Sequence, residues 1–354
     1  MRKEVMKMKL SKLAALILAG AMMLSLAACG GSSGSAPSAS SAASSGAASS
    51  GAASSEPSEG TATYTVGICQ LVPHDALDAA TQGFKDALNE ALPGQVEFKE
   101  GVGAGDSATC TPIVTDLVSS NVDLIMANAT GALQAAAAAT EDIPILGTSV
   151  TEYGVALNIA NFTGTVGNNI SGTSDLAPLS EQADMVTEWF PEAKTVGLLY
   201  CSAEPNSQYQ VDEVQKFLEA KNLTCTQYPF ADSNDMAAVT QTAAAECDVI
   251  YVPTDNTVAS NTGIIDNICR PAGVPVIAGE EGICKGCGVA TLSISYYDLG
   301  VATGKMAAKI LTGEANVSEM AIGYAENVTP KYNPVICEEL GLTPPDGYVA
   351  IEMN

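Results

Sequence analysis

The chain has 354 residues, 47% of them hydrophobic, with 15 Lys and Arg against 40 Asp and Glu and a net charge of −25. That much apolar material builds real cores, so global disorder is excluded. After residue 28, only Arg270 and nine scattered lysines stand against 39 carboxylates, which leaves no basic stripe for nucleic acid and no attraction to anionic lipid.

Residues 1–28 read as a bacterial export signal: a basic stretch through Lys12, then the apolar run LAALILAGAMMLSLAA. Leu26-Ala27-Ala28-Cys29 has the form of a lipobox. The Cys29 thiol is expected to take diacylglycerol and become the first residue of the mature chain. Two acyl chains anchor stably where one binds only marginally. Gly, Ala and Ser then fill 27 of the 31 positions from 30 to 60, a coil-like tether (29–60 with its lipidated Cys) reaching roughly 30 Å. The body begins at about residue 61 and is large enough that two lobes are expected.

Within it, strand and helix patterns alternate. Strands are expected at 65–71, 95–99, 122–127 and 144–147, with helices at 75–92, 107–120 (Ser107 as N-cap) and 131–140. A linking stretch around 168–175 precedes a second run of the same rhythm. Its helices are 181–190, 207–221, 235–245 and 258–269, and its strands are 195–200, 224–229, 249–252, 274–278 and 289–293. A helix at 298–311 follows. Short apolar strands alternating with helices give parallel sheets covered on both faces. The fold class is therefore α/β, with two doubly wound parallel-sheet lobes.

Open α/β sheets bind ligands at the carboxyl ends of their strands. The side chains standing there are Gln70, His74, Asp75, Thr130, Thr148, Ser149 and Asp175 in the first half, and Glu204, Asn206, Ser207, Asp255, Asn256 and Glu280 in the second. All are candidate ligand contacts, although Asp, Asn, Ser and Thr at such places also cap the following helices. With almost no arginine, a ligand carboxylate would rest on backbone N–H groups and hydroxyls near Thr130-Gly131 and Ser149. A ligand ammonium would find Asp255, Glu280 or Asp175. Together these suit an amino acid.

Catalytic equipment is not evident. The single His74 has no G-x-S-x-G partner, and it lacks His or Cys neighbours at metal-ligand spacing. Gly101-Val102-Gly103-Ala104-Gly105 does not have dinucleotide-loop spacing. No enzyme activity, metal or cofactor is expected. Nine cysteines remain in the body, an odd number mostly inside apolar strands, and buried free thiols are the reading. Cys284 and Cys287 form one CxxC, taken as loop residues or a local disulfide.

Several blocks together carry a family likeness: Gln70-Leu-Val-Pro-His74 with Asp78 and Gly83-Phe84, Ala129-Thr130, Glu204-Pro-Asn206-Ser207, 253–260 (PTDNTVAS) and 296–300 (YYDLG). Over residues 63–345 the chain resembles the ABC-transporter substrate-binding lipoproteins of the tryptophan/tyrosine type, which are similar to type I periplasmic binding proteins. Thr151-Glu152 stands where that family usually has Asp-Pro. The resemblance implies two hinged lobes, 61–175 with 296–325 and 176–295 with 326–354. It also implies an extracytoplasmic, lipid-anchored binding protein that delivers an aromatic or other apolar amino acid to an ABC permease and ATPase. A monomer touching the membrane only through its lipid is expected. The alternatives are a sensor presenting its ligand to a membrane receptor, or a nucleoside or sugar as ligand.

Overall fold

A computed structural model describes residues 63–325 and 327–353. The expectations for the export signal, Cys29 and the tether lie outside the described residues. In chain order the first half runs β1 (Tyr64–Gln70), α1 (Asp75–Ala91), β2 (Val96–Val102), α2 (Ser107–Ser119), β3 (Leu124–Asn128), α3 (Thr130–Ala139), β4 (Ile145–Thr148), α4 (Tyr153–Ala156) and β5 (Ile170–Ser174). The second half runs α5 (Leu179–Trp189), β6 (Thr195–Cys201), α6 (Pro205–Ala220), β7 (Thr224–Phe230), α7 (Ser233–Glu246), β8 (Val249–Val252), α8 (Asn256–Ala259), α9 (Thr262–Ala272), β9 (Val276–Ala278), α10 (Glu281–Cys287) and β10 (Ala290–Ser293). It closes with α11 (Tyr296–Leu311), β11 (Gly323–Tyr324), β12 (Thr329–Tyr332), α12 (Pro334–Leu340) and β13 (Val349–Ala350).

Two sheets result. The first has the order β11-β5-β4-β3-β1-β2, parallel throughout. The second has β13-β12-β10-β9-β8-β6-β7, parallel except where β12 runs against β10. Each contains the same core order, β5-β4-β3-β1-β2 and β10-β9-β8-β6-β7, so each reverses direction once, between β1 and β3 or between β6 and β8. Such a reversal opens a crevice at the strands' carboxyl ends. The chain passes between the sheets at 175–178, again between β10 and α11, and finally between β11 and β12. These three crossings form the hinge.

The strands that line the cores are near-continuous apolar runs, as a sheet covered on both faces requires: β3 and β8 are buried along their whole length. Helix α11 leaves the second sheet and packs on α1. A Cβ at Gly83 would run into the Tyr297 carbonyl, one at Gly300 into the Ala80 carbonyl, and one at Gly304 into the Phe84 carbonyl. The two helix backbones touch through glycines, so this contact admits no side chain.

Four local expectations are corrected. The linking stretch contains a strand, β5, whose Ile-Ser-Gly-Thr-Ser sequence lacks an apolar pattern because small polar residues pack there against β4 and α11. The helix expected at 258–269 is two helices. Ser260 Oγ donates to the Asn256 carbonyl and Asn261 Nδ2 to the Thr257 carbonyl, and side-chain bonds of this kind compete with helix continuation. The cap of α2 is Asp106, which accepts from the Thr109 amide at 2.7 Å, and not Ser107. Cys284 and Cys287 lie in a helix, α10, as free buried thiols rather than in a loop or a disulfide. The elements after α11 were not foreseen individually.

Candidate ligand-binding cleft

The two switch points face each other. His74, Leu77, Asp175, Thr254, Asp255, Asn256, Ala259, Glu280 and Tyr296 line the seam between them. The space left is about 10 Å³, room for about one water. His74, in the loop between β1 and α1, lies 3.2 Å from Asn256 Oδ1 at the start of α8, so a hydrogen bond bridges the lobes. Burial lowers the His74 pKa. The bond to Asn256 and the charges of Glu204, Asp78 and Asp75 only partly oppose this, so burial favours the neutral imidazole.

The carboxylates are held by local geometry. Asp255 ends β8 and caps α8, accepting from the Val258 amide at 2.9 Å and from the Cys201 amide, across on β6, at 2.7 Å. Burial, and then the charge of Glu204, push its pKa up to about 8. Glu280 caps α10 through the Gly282 and Ile283 amides, and burial pushes it up to about 7. Glu204 accepts from the backbone and side chain of both Asn256 and Thr257. Asn206 donates to Glu204 and to the Thr254 carbonyl, and buried Ser207 lies against Asp255. These second-lobe groups form one network whose bonds lie largely within that lobe.

Asp175 differs. It sits in the first crossing, 3% exposed, with the Tyr296 hydroxyl donating to Oδ2 at 3.0 Å. Its Oδ1 receives no well-formed hydrogen bond among the described residues. Burial raises its pKa against the pull of the neighbouring Thr151 and Tyr296 hydroxyls. A buried carboxylate oxygen without a donor is costly unless a cation reaches it. Of the three acids considered for a ligand ammonium, Asp175 alone has an oxygen without a well-formed hydrogen bond among the described residues, whereas both Asp255 oxygens and both Glu280 oxygens accept backbone amides.

The first-lobe candidates are divided. Asp75 lines the mouth with His74. Gln70 is bonded within its own lobe, to the Val72 carbonyl, Asp78 and Thr81. Thr148 pairs with Thr173 at 3.2 Å inside the sheet. Thr130 is buried at the start of α3, where Leu71 covers the backbone at Gly131. Ser149 is buried, with an unpartnered hydroxyl and a φ of 54°, next to another left-handed strand end at Ala129 with φ 84°. Gln70, Thr130, Thr148 and Ser149 are absent from the seam's lining. The expected carboxylate rest near Thr130 and Ser149 is therefore not brought together with the acids.

Sequence reasoning did not include Leu77, Thr254 and Ala259 among its candidates, and it named Tyr296, with Tyr153, only as a guess for the apolar pocket; Tyr153 is absent from the lining. Tyr296 was legible as the first residue of the YYDLG block. Leu77 was not, because an apolar residue on an amphipathic helix reads as core.

The chain matches the family described as ABC transporter substrate binding protein over residues 65–351. A tyrosine-binding protein of Clostridioides difficile is 30% identical over 316 residues, covering 87% of this chain and 86% of that one. A Streptococcus pneumoniae ABC domain in complex with L-Trp superposes with a TM-score of 0.77 at 30% identity, covering 82% of this chain and all of that one. A ligand-free, open substrate-binding protein with adhesive properties from Clostridium difficile is more identical, 33%, with 82% of this chain and all of that one covered, yet its TM-score is only 0.64. With a family match across nearly the whole body and two facing switch points, this chain belongs to the ABC transporter substrate-binding protein family.

Proposed function

We propose that the chain is an extracytoplasmic, lipid-anchored solute-binding protein that encloses an aromatic amino acid between its lobes and hands it to an ABC permease and its ATPase. It works as a monomer, without catalytic chemistry of its own. The observation that carries the ligand class is the likeness to the L-Trp complex, joined to a seam in which a buried carboxylate, Asp175, has one oxygen free for an ammonium. In this reading the seam, which has room for about one water as it stands, parts to admit the ligand, whose cation then sits on Asp175 and whose ring lies near Leu77 and Tyr296. Closure then joins the lobes through His74 and Asn256. A ligand that touches both lobes shifts the population toward the closed form.

The test is calorimetry with the twenty amino acids, nucleosides and simple sugars. L-Tryptophan or L-tyrosine should bind with micromolar or tighter dissociation constants, and small-angle scattering should show compaction. Binding of a sugar or nucleoside in preference to both would overturn the ligand class. For the anchor, Cys29→Ala should leave the protein unprocessed or released from the membrane. A variant that is still acylated and membrane-bound would remove the lipoprotein reading.

A further inference from the structure

Resting on the function proposed above, we infer that Lys285 reads the carboxylate of the ligand and thereby sets the preference for an amino acid over the corresponding amine. Two larger spaces between α1 and α10, of about 340 and 480 Å³, share lining residues with the seam. Glu280 lines all three, and His74 and Tyr296 each continue from the seam into one of them. Lys285 lines both outer spaces.

The other cation along this path, Lys331, is committed to Glu281 at 2.7 Å. Lys285 has no ion-pair partner among the described residues, although the chain carries a net charge of −25. Its backbone is also held in place. Glu280 caps the start of α10, and Asn333 Nδ2 donates to the Cys284 and Lys285 carbonyls at 3.0 Å each. A flexible four-carbon stem on a fixed helix can follow a carboxylate over several ångströms.

The charge pattern completes the case. The seam's lining holds three acids and no cation, so it offers an ammonium an acceptor at Asp175 and a carboxylate no counter-charge. A zwitterion placed there needs its negative end directed outward, toward the mouth, where Lys285 stands half-buried and unpaired.

The experiment crosses two changes, using the purified full-length protein and calorimetry at low salt. Lys285→Gln should weaken L-tryptophan binding about 5- to 50-fold while tryptamine binding changes less than twofold. Lys285→Arg should keep most of the L-tryptophan affinity. The melting temperature without ligand should be unchanged in both variants. Equal losses for the two ligands, no loss for L-tryptophan, or wild-type protein that binds tryptamine as tightly as L-tryptophan would each overturn the assignment. If the wild type binds tryptamine too weakly to measure, the comparison of Gln with Arg decides: equal losses overturn the role. Wild-type protein that binds neither L-tryptophan nor L-tyrosine would overturn the proposed function itself, a result distinct from a failure of Lys285 alone.

Discussion

The two rims of the cleft are built from the same strand order yet hold different chemistry. On the first rim, the polar side chains at the ends of β1 and β4 are satisfied within their own lobe: Gln70 by Thr81 and Asp78 of α1, Thr148 by Thr173 of β5. On the second, Glu204, Asp255 and Glu280 are buried carboxyls tied to amides at helix starts, and Asp255 and Glu280 line the seam. Asp175, at the crossing between them, has an oxygen left over. One rim therefore shapes the cleft and the other gives it titratable groups, so substitutions on the first should act on stability and those at the hinge and second rim on affinity or pH response.

The largest effect is expected at the first lobe's helix contact. Gly300→Ala forces a methyl against the Ala80 carbonyl and should cost about 3 kcal/mol, a fall in melting temperature of about 6 °C or more. Ligand affinity of the folded fraction should be unchanged. A variant with wild-type stability would show that α11 shifts freely on α1.

Next comes Asp175→Asn, which removes a charge with little change in shape. Affinity for the amino acid should fall about 10- to 150-fold, the equivalent of a charge-assisted hydrogen bond of about 1.5–3 kcal/mol. Stability without ligand should not fall, since burial already disfavours the charged form. Calorimetry paired with urea unfolding separates the two effects. A stability loss without an affinity loss would make Asp175 a structural residue of the hinge.

The second rim should also reveal itself through pH. Asp255 and Glu280 have folded pKa values of about 8 and about 7, above their ordinary values. The native state thus binds more protons than the unfolded state between about pH 4 and 8, and their contribution is fully present at the acid end and lost as pH rises. His74 has the opposite sign: its folded pKa is lowered, so its contribution is present above its unfolded value and lost as pH falls below it. Urea unfolding of the ligand-free protein should show a net decline on the order of 2 kcal/mol from pH 6.5 to 8.5. The double variant Asp255→Asn, Glu280→Gln should flatten it. Since both Asp255 oxygens accept amides, Asp255→Asn alone should act on stability more than on ligand affinity.

His74→Ala removes the hydrogen bond that joins the rims and should weaken ligand binding about 3- to 10-fold, within the range of a single neutral bond. Scattering should show a larger open fraction at subsaturating ligand. The smallest effect provides the control for the first: Gly263→Ala, in α9 of the second lobe, adds a methyl that meets nothing within 4 Å. It should stabilise by about 0.5 kcal/mol, so glycine replacement harms only where two backbones touch.

Most of the architecture was legible because it rests on short-range patterns. The apolar runs at Val66–Leu71, Val196–Tyr200 and Val249–Val252 are strands for the reason their composition suggests, and α1 and α11 follow the helical period. The misses have local causes as well. Strand β5 is written in Ser, Gly and Thr, which signal a loop until a neighbouring strand and helix bury them. The break between α8 and α9 depends on Ser260 and Asn261 bonding back to the preceding turn. The helix at 281–287 carries two glycines and a CxxC that resemble a turn.

The residues at the strand ends, and the fact that they are mostly acids, amides and hydroxyls, were determined by sequence alone, because capping and strand termination are decided within a few positions. Which of them remain available to a ligand was decided only by tertiary structure. Asp255 accepts from Cys201, 54 positions away; Tyr296 reaches Asp175 over 121, and His74 meets Asn256 over 182. A carboxylate's hydrogen-bonding capacity is finite, so these long-range donors determine whether it caps a helix or faces the cleft. No local pattern along the chain encodes that choice.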